Sequence, residues 1–301
     1  MSTIDKKKIR FITNPFSGTK SKAKLKETIE ENLNLADFDF EICYTDYPRH
    51  ATQLSAEARD MGYYAVIAVG GDGTINEVAS ALKGSETALG IVPFGSGNGF
   101  SYHLGIRRDV VTAIQIINDH NTNLIDTGSA NGRFFINVAG LGLDATVAFK
   151  TKLNKKRGFI PYFINTLKES IGFRFMKLRI STNDSVMDGE YGMAVIANGS
   201  MYGYDFAVAP AAILDDGLFD IILVRKTQIF RYFLLVPRML NKTFHKSPLV
   251  QYFKTSKITI ESTDGTPYFH VDGEGFEAEN SITFEVVPNS IKLITKQNKQ
   301  C

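Results

Sequence analysis

The chain has little cysteine, no long apolar run and almost no net charge. Its two cysteines are Cys43, in a β-prone run, and Cys301, the last residue. Two residues so placed give neither a disulfide framework nor metal-ligand spacing, and they fit a reducing compartment. The amino-terminal MSTIDKKKIRFI holds no apolar stretch of signal-peptide length. No window approaches the roughly 18 uninterrupted apolar residues of a membrane-spanning helix. The expected location is therefore cytoplasmic. A formal net charge of +2 gives no argument for nucleic acid as a partner. No repeat of fixed period and no low-complexity tract is present. With 301 residues, 44% of them hydrophobic, the chain can bury one large core or two modest ones.

The charge is unevenly spread. Lys6, Lys7, Lys8 and Arg10 lie at the first strand, and Lys20, Lys22, Lys24 and Lys26 follow it. A second cluster is Lys150, Lys152, Lys155, Lys156 and Arg157. Such clusters serve as solvated surface, or attract nucleotide phosphates and an anionic bilayer face.

Strand and helix signals alternate up to about Asp126. Strands are expected near Ile9–Thr13, Asp39–Tyr44, Ala65–Val69 and Leu89–Val92. Helices are expected near Lys20–Leu33, His50–Met61, Ile75–Leu82 and Arg108–Asn118. That alternation implies a parallel sheet flanked by helices. Short β-prone runs follow at Arg133–Val138, Lys177–Thr182, Gly192–Asn198, Leu218–Arg225 and Ile258–Glu261. Turn pairs such as Asn131-Gly132, Asp188-Gly189 and Asp264-Gly265 separate them, which implies an antiparallel β domain. Helical insertions are expected near Ile160–Ile171 and Thr227–Leu240, and two strand pieces, Ile282–Val287 and Ile291–Thr295, around Pro288-Asn289.

Three strands of the first part end in turns rich in glycine and hydroxyls: NPFSGT from Asn14, GGDGT from Gly70 and PFGSGNG from Pro93. In an open parallel sheet such turns share one edge, where ligands bind. Strand, glycine turn and helix together present backbone N–H groups and a helix N-terminus to a phosphate. Gly70, Gly71 and Gly73 permit close approach. Asp72 among them repels a bare phosphate, so a bridging Mg²⁺ is the economical explanation. Asn76 and Glu77 stand one turn further on and bind nucleotide or, for Glu77, close a capping box with Thr74.

NPFSG, GGDGTINEV and PFGSGN, in this order and spacing, resemble the catalytic domain shared by diacylglycerol kinases, sphingosine and ceramide kinases and bacterial lipid kinases. INVAGLGLDA from Ile136, DDGLFDIILV from Asp215 and HVDGEGF from His270 extend the likeness over nearly the whole chain. The resemblance implies an α/β domain with a parallel sheet flanked by helices over residues 1–126, of the NAD kinase/diacylglycerol kinase type. It implies an antiparallel β-sandwich over 127–289, with a tail from about 290 to 301 returning to the first domain. The implied activity is ATP-dependent phosphorylation of a lipid head-group hydroxyl, diacylglycerol-like. A sphingoid base or ceramide acceptor, NAD kinase activity, and a non-catalytic nucleotide- or lipid-binding regulator are the alternatives.

The resemblance also implies site residues. Asn14, Pro15, Ser17, Gly18, Thr45, Gly70, Gly71, Asp72, Gly73, Thr74, Asn76, Glu77 and Ser96 form the expected nucleotide site, with Asp72 organising Mg²⁺ on ATP. Thr45 also reads as a strand-end turn residue, and Asn98 as the residue that fixes the third turn. Asp272 and Glu274 are the paired carboxylates expected to split the roles of orienting group and base, the base mapping to Glu274. Asp216, with the carbonyls of Ile213 and Leu218, maps to a structural Mg²⁺ site of bacterial members. GSGNG stands where many diacylglycerol kinases have GTxND, a departure towards sphingosine and ceramide kinases. Asp144 aligns with an acidic residue that contacts the sphingoid head in sphingosine kinases. A lipid acceptor requires visits to a membrane surface. Two apolar stripes suit either core packing or that contact: Phe159, Tyr162, Phe163, Leu167, Ile171 and Phe173, and Ile229, Phe230, Phe233, Leu234 and Met239. The sequence is also compatible with a homodimer.

Overall fold

The computed structural model describes residues 6–18, 24–153, 173–228, 230–265, 267–277 and 280–296. The expected helix at Ile160–Ile171, the basic residues Lys20, Lys22, Lys155, Lys156 and Arg157, and Ile229 lie outside the described residues. The chain divides into two compact units, Met1–Ile125 with Asn289–Cys301, and Asp126–Pro288.

The first unit runs β1 (Lys7–Thr13), α1 (Leu25–Asn32), β2 (Phe38–Tyr44), α2 (His50–Asp60), β3 (Ala65–Gly70), α3 (Asp72–Leu82), β4 (Ala88–Pro93), α4 (Gly99–His103) and α5 (Val110–Asn118). The strand order is β2-β1-β3-β4, all parallel. Every residue of β3 (AVIAVG) and β4 (ALGIVP) is buried. Continuous apolar runs are what parallel strands covered on both faces require. Leu25 and Ile29 of α1 and Ile114 and Ile117 of α5 close one core with Ile9, Phe11, Ile67 and Val69.

The second unit continues with β5 (Thr122–Ala130), β6 (Arg133–Phe135), β7 (Val138–Gly142), α6 (Leu143–Leu153), β8 (Met176–Thr182) and β9 (Val186–Ala197). Then follow β10 (Met201–Gly203), β11 (Phe206–Ala207), β12 (Phe219–Arg225), α7 (Phe230–Phe233) and α8 (Val236–Leu240). The last strands are β13 (Val250–Thr255), β14 (Lys257–Ser262), β15 (Tyr268–Val271), β16 (Glu274–Glu277) and β17 (Ser281–Ile294). Its pairings are antiparallel, in the order β16-β15-β7-β9-β8-β14-β17, with β12 and β13 branching from β9. Along β9 and β12, alternate residues enter two different cores. Ala194, Ile196, Phe219, Ile221 and Leu223 enter one, and Val195, Ala197, Ile222 and Val224 the other. That period of two is the signature of a strand buried on both faces of a β-sandwich.

Four elements differ from the sequence expectation, each for a local reason. The run Arg133–Val138 is broken into β6 and β7, because the backbone N–H groups of Ile136, Asn137 and Val138 turn to the Asp272 carboxylate. Asp188-Gly189 is not a turn. The Thr182 hydroxyl accepts from the N–H groups of Asp184 and Ser185 and closes the hairpin earlier, and Asp188 pairs across the strands with Arg179 at 3.0 Å. The helix expected at Thr227–Leu240 is split into α7 and α8, since Pro237 cannot sit inside a continuous helix. Pro288-Asn289 does not end a strand. With Asn289 at φ 47, β17 continues through it, pairing antiparallel with β14 and then parallel with β4 at Leu293.

Candidate functional site

The parallel register aligns the strand ends of the first unit. Thr45 N–H donates to Thr13 C=O at 3.0 Å, Asn14 N–H to Val69 C=O at 3.1 Å, and Phe94 N–H to Gly70 C=O at 2.7 Å. The expected turns therefore lie side by side on one edge. They also touch. Gly18, at φ 69, has no room for a Cβ, which would lie 1.8 Å from the Phe94 carbonyl oxygen. A Cβ on Gly95 would lie 2.4 Å from the Gly71 Cα. Glycine here is a packing requirement between backbones.

Within this edge most expected residues have defined local partners. Asn14 Oδ1 accepts from Phe16 N–H at 2.9 Å, and the Ser17 hydroxyl donates to Asn14 C=O at 3.0 Å. Pro15 lies in the same turn. Gly71 is the N-cap of α3 in extended conformation, so Asp72 opens the helix with Gly73 and Thr74 behind it. The capping box from Thr74 to Glu77 is thereby corrected. Thr74 is already inside the helix, its hydroxyl against Gly70 and 3.5 Å from Asn14 Nδ2. Asn76 and Glu77 follow, half-buried. Thr45 is buried at the end of β2.

Asp72 is half-buried, and its Oδ1 accepts from Phe100 N–H at 3.1 Å. That bond fixes a carboxylate in the first turn of a helix whose N-terminus favours anions. A carboxylate oriented this way suits a hard cation carried by a nucleotide. Asn98, wholly buried at φ 54, donates from Nδ2 to Gly95 C=O at 2.8 Å and shapes the third turn. Two neighbours escaped the sequence reading. The exposed Arg108 guanidinium donates to Ser96 C=O, which puts a fixed positive charge beside the third turn. His103, at the end of α4, has its pKa pushed down to about 4 by burial. Arg108 was open to discovery as a basic residue 12 positions from Ser96. His103 carried no signal.

In the second unit, β15 and β16 form the hairpin that carries Asp272 and Glu274. The structure separates their environments. Asp272 sits at φ 48 in the turn. Its Oδ1 accepts from Asn137 and Val138 N–H at 2.9 and 3.0 Å, and its Oδ2 from Ile136 N–H at 2.9 Å. Glu274 is exposed. Its neighbour Gly275 is pressed against α6, where a Cβ would lie 2.4 Å from the Phe149 Cα, and Phe149 stacks on Tyr268 at 4.3 Å.

The DDGLFD loop does not fit a bound cation. Asp216 Oδ2 holds the Lys254 ammonium at 2.7 Å, and its Oδ1 accepts from Leu218 N–H at 3.1 Å. Lys254 also reaches the wholly buried Asp220 at 3.3 Å, to which Tyr252 donates a hydrogen bond. Burial lowers the Lys254 pKa, but the bond to Asp216 and the charges of Asp220 and Asp216 more than reverse that, and the net shift is upward. The loop itself is pinned where Gly217 N–H donates to Asp126 at 2.7 Å. At Ile213, Asp216 and Leu218, where the sequence resemblance implied a structural Mg²⁺, the Asp216 carboxylate is thus met by the Lys254 ammonium. Among the described residues no group of three or more His, Cys, Asp or Glu could hold a metal.

Asp144, at the start of α6, is buried. Its Oδ2 accepts from the Tyr202 hydroxyl at 2.6 Å and meets His270 Nε2 at 3.1 Å, and its Oδ1 accepts from Ala145 N–H at 2.9 Å. The carboxylate that the sequence offered as a partner for an amine head group is thus engaged by Tyr202, His270 and the Ala145 N–H in this structure.

Comparison with known proteins agrees with this layout. A family model described as Diacylglycerol kinase catalytic domain matches residues 8–130, and one described as YegS C-terminal NAD kinase beta sandwich-like domain matches residues 137–295. The chain is 32% identical over 278 residues to a diacylglycerol kinase of Staphylococcus saprophyticus, with 89% of each chain covered. Its fold is similar to the crystal structure of a diacylglycerol kinase from Bacillus anthracis, with a TM-score of 0.76 at 22% identity over 96% of this chain and 97% of that one. A weaker likeness, TM-score 0.52 at 10% identity over 98% and 85% of the two chains, links it to yeast NADH kinase. Both structural likenesses are of fold alone. The sequence relationship, over most of both chains, makes this protein a member of the diacylglycerol kinase family, kinases that transfer phosphate to an alcohol acceptor.

Proposed function

We propose that the protein transfers the γ-phosphate of ATP to the free hydroxyl of a diacylglycerol. The observation that carries the nucleotide half is the backbone-to-backbone packing of three phosphate-type turns on one sheet edge. The relatives' names supply the acceptor. In this reading the N–H groups at the N-terminus of α3, beginning at Gly71, hold the phosphates, with the Gly95 turn packed against them. Asp72, steadied by Phe100 N–H, would hold the Mg²⁺ that arrives with ATP, which would supply charge neutralisation at the transferring group. Arg108 adds positive charge beside Ser96. Glu274 takes the proton of the acceptor hydroxyl, and Asp272 positions it by fixing the turn to three backbone N–H groups.

The alternatives have lost ground on particular observations. A sphingoid acceptor was favoured by Asp144, whose carboxylate is engaged by Tyr202 and His270. NAD kinase activity rests on the GGDGT motif and the two-domain plan, to which the yeast NADH kinase structure adds a likeness of fold alone. The test is a labelled-ATP assay with diacylglycerol, a sphingoid base, ceramide and NAD as separate acceptors. Phosphatidate as the dominant product supports the reading. Product from NAD or a sphingoid base, with none from diacylglycerol, overturns it.

A further inference from the structure

Residues 221–260 contain eight Lys or Arg and no Asp or Glu, in a chain that holds 32 acidic residues. Three of the eight are neutralised by carboxylates elsewhere: Lys226 by Glu190, Lys254 by Asp216 and Asp220, and Lys257 by Glu285. The other five, Arg225, Arg231, Arg238, Lys242 and Lys246, have no ion-pair partner among the described residues. Arg231 lies in α7 and Arg238 in α8, with Arg225 before them and Lys242 and Lys246 after them in the chain. Arg225 and Arg231 also line a concavity of about 1020 Å³. The two carboxylates on its wall, Asp188 and Glu190, are paired with Arg179 and Lys226.

The same segment shows large apolar side chains to solvent. Phe230 is 58% exposed, Leu234 64% and Leu240 50%. Phe230 and Leu234 are four residues apart and flank Arg231. These tips are not loose ends. Tyr232, Leu235 and Phe244 are buried beneath them, and the Tyr232 hydroxyl donates to Arg225 C=O at 2.9 Å. A Cβ on Gly192 would lie 2.1 Å from that hydroxyl oxygen, so the strand below is shaped to receive the ring. One side of the segment is locked into the core. The other holds apolar tips, in a stretch whose five cations have no ion-pair partner among the described residues.

We propose that residues 225–228 and 230–246 are a docking surface for an anionic lipid bilayer. Apolar side chains that enter the acyl boundary, with Lys and Arg left at head-group level, are the pattern of interfacial binding. Uncompensated cations draw such a surface to a negatively charged leaflet and release it at high salt. The role fits the lipid-kinase reading, on which its usefulness rests. It can be tested without catalysis.

The chain has no tryptophan, so Leu234→Trp gives a single fluorescent reporter at the surface. It is mixed, without nucleotide, with phosphatidylcholine vesicles free of diacylglycerol, with and without phosphatidylserine. The expected result is a blue shift that needs phosphatidylserine and reverses with salt. In cosedimentation, Phe230→Ser with Leu234→Ser, and separately Arg231→Gln with Lys242→Gln, should each weaken vesicle binding by about tenfold or more. Both pairs should keep turnover on a dispersed short-chain acceptor, which separates failure of docking from failure of the kinase reading. Vesicle binding unchanged in both pairs overturns the proposal. So does binding to a soluble polyanion such as heparin in preference to vesicles with no blue shift, which would assign the patch to an acidic macromolecule.

Discussion

The glycine turns of the first unit and the acidic loops of the second are built on opposite principles. In the first unit the groups proposed to meet a ligand are backbone N–H, and side chains such as Asn98 and Asn14 hold the backbone in place. In the second unit the motifs are written in carboxylates, yet most of those carboxylates are spent on structure. Asp272 is bonded to three amides, Asp216 to an ammonium and an amide, and Asp144 to Tyr202, His270 and an amide. On the proposed reading, chemistry is left to half-buried Asp72 in the first unit and to exposed Glu274 in the second.

The comparison can be broken most sharply at Asp72, the carboxylate that the first unit sets among its amides. Asp72→Ala should lower turnover by about 10²–10³-fold, the scale for removing one electrostatic stabiliser. Near-normal turnover in a folded variant would show that the turns alone suffice. Next in size is Lys254. Lys254→Met leaves Asp216 and Asp220 without their cation. It should cost about 3–5 kcal/mol in denaturant unfolding, the range for breaking a buried charged pair. Native protein without nucleotide should melt at the same temperature with Mg²⁺ or with a chelator. A chelator-sensitive Tm in the native protein would instead place a metal at the loop.

Gly95→Ala probes the backbone-built site directly. Its Cβ meets the Gly71 Cα, which cannot swing away. Roughly 1–3 kcal/mol of overpacking strain is expected, together with weakened ATP binding measured by calorimetry. Unchanged affinity would mean that the contact between turns does not shape the site. The smallest effect is expected at His103, whose pKa burial lowers to about 4. The unfolded chain takes up this proton near its ordinary value of about 6.5, so protonation favours unfolding. The stability involved is intact above about pH 6.5 and is lost as pH falls towards 4, on the order of 3 kcal/mol at most. His103→Gln should flatten the fall in Tm over that window. A variant with the same acid slope as the native protein would place the proton uptake elsewhere.

What was legible in the sequence was what local chemistry dictates. The buried runs of β3 and β4 announce parallel strands, and the glycines between strand and helix announce turns that must come close to something. Glycine spacing reports backbone geometry, and backbone geometry is local. The partners of the acidic residues are not local. Asp272 finds its amides 134 to 136 positions away, Asp216 finds Lys254 38 away, and Asp144 finds His270 126 away. No spacing rule spans those distances, so the sequence could not tell a structural carboxylate from a reactive one. Short-range exceptions had short-range causes: Pro237 split a helix, and the hydroxyl of Thr182 moved a hairpin turn.

The most direct measurement sets Glu274→Gln beside Asp272→Asn, following turnover against pH and Tm for both. The account predicts that Glu274→Gln loses about 10²-fold or more of turnover, and the pH limb that reports its base, while its Tm is unchanged. Asp272→Asn should instead lower Tm, as its charge-assisted bonds to Ile136, Asn137 and Val138 weaken. Full activity in Glu274→Gln, with turnover abolished at unchanged Tm in Asp272→Asn, would contradict the assignment.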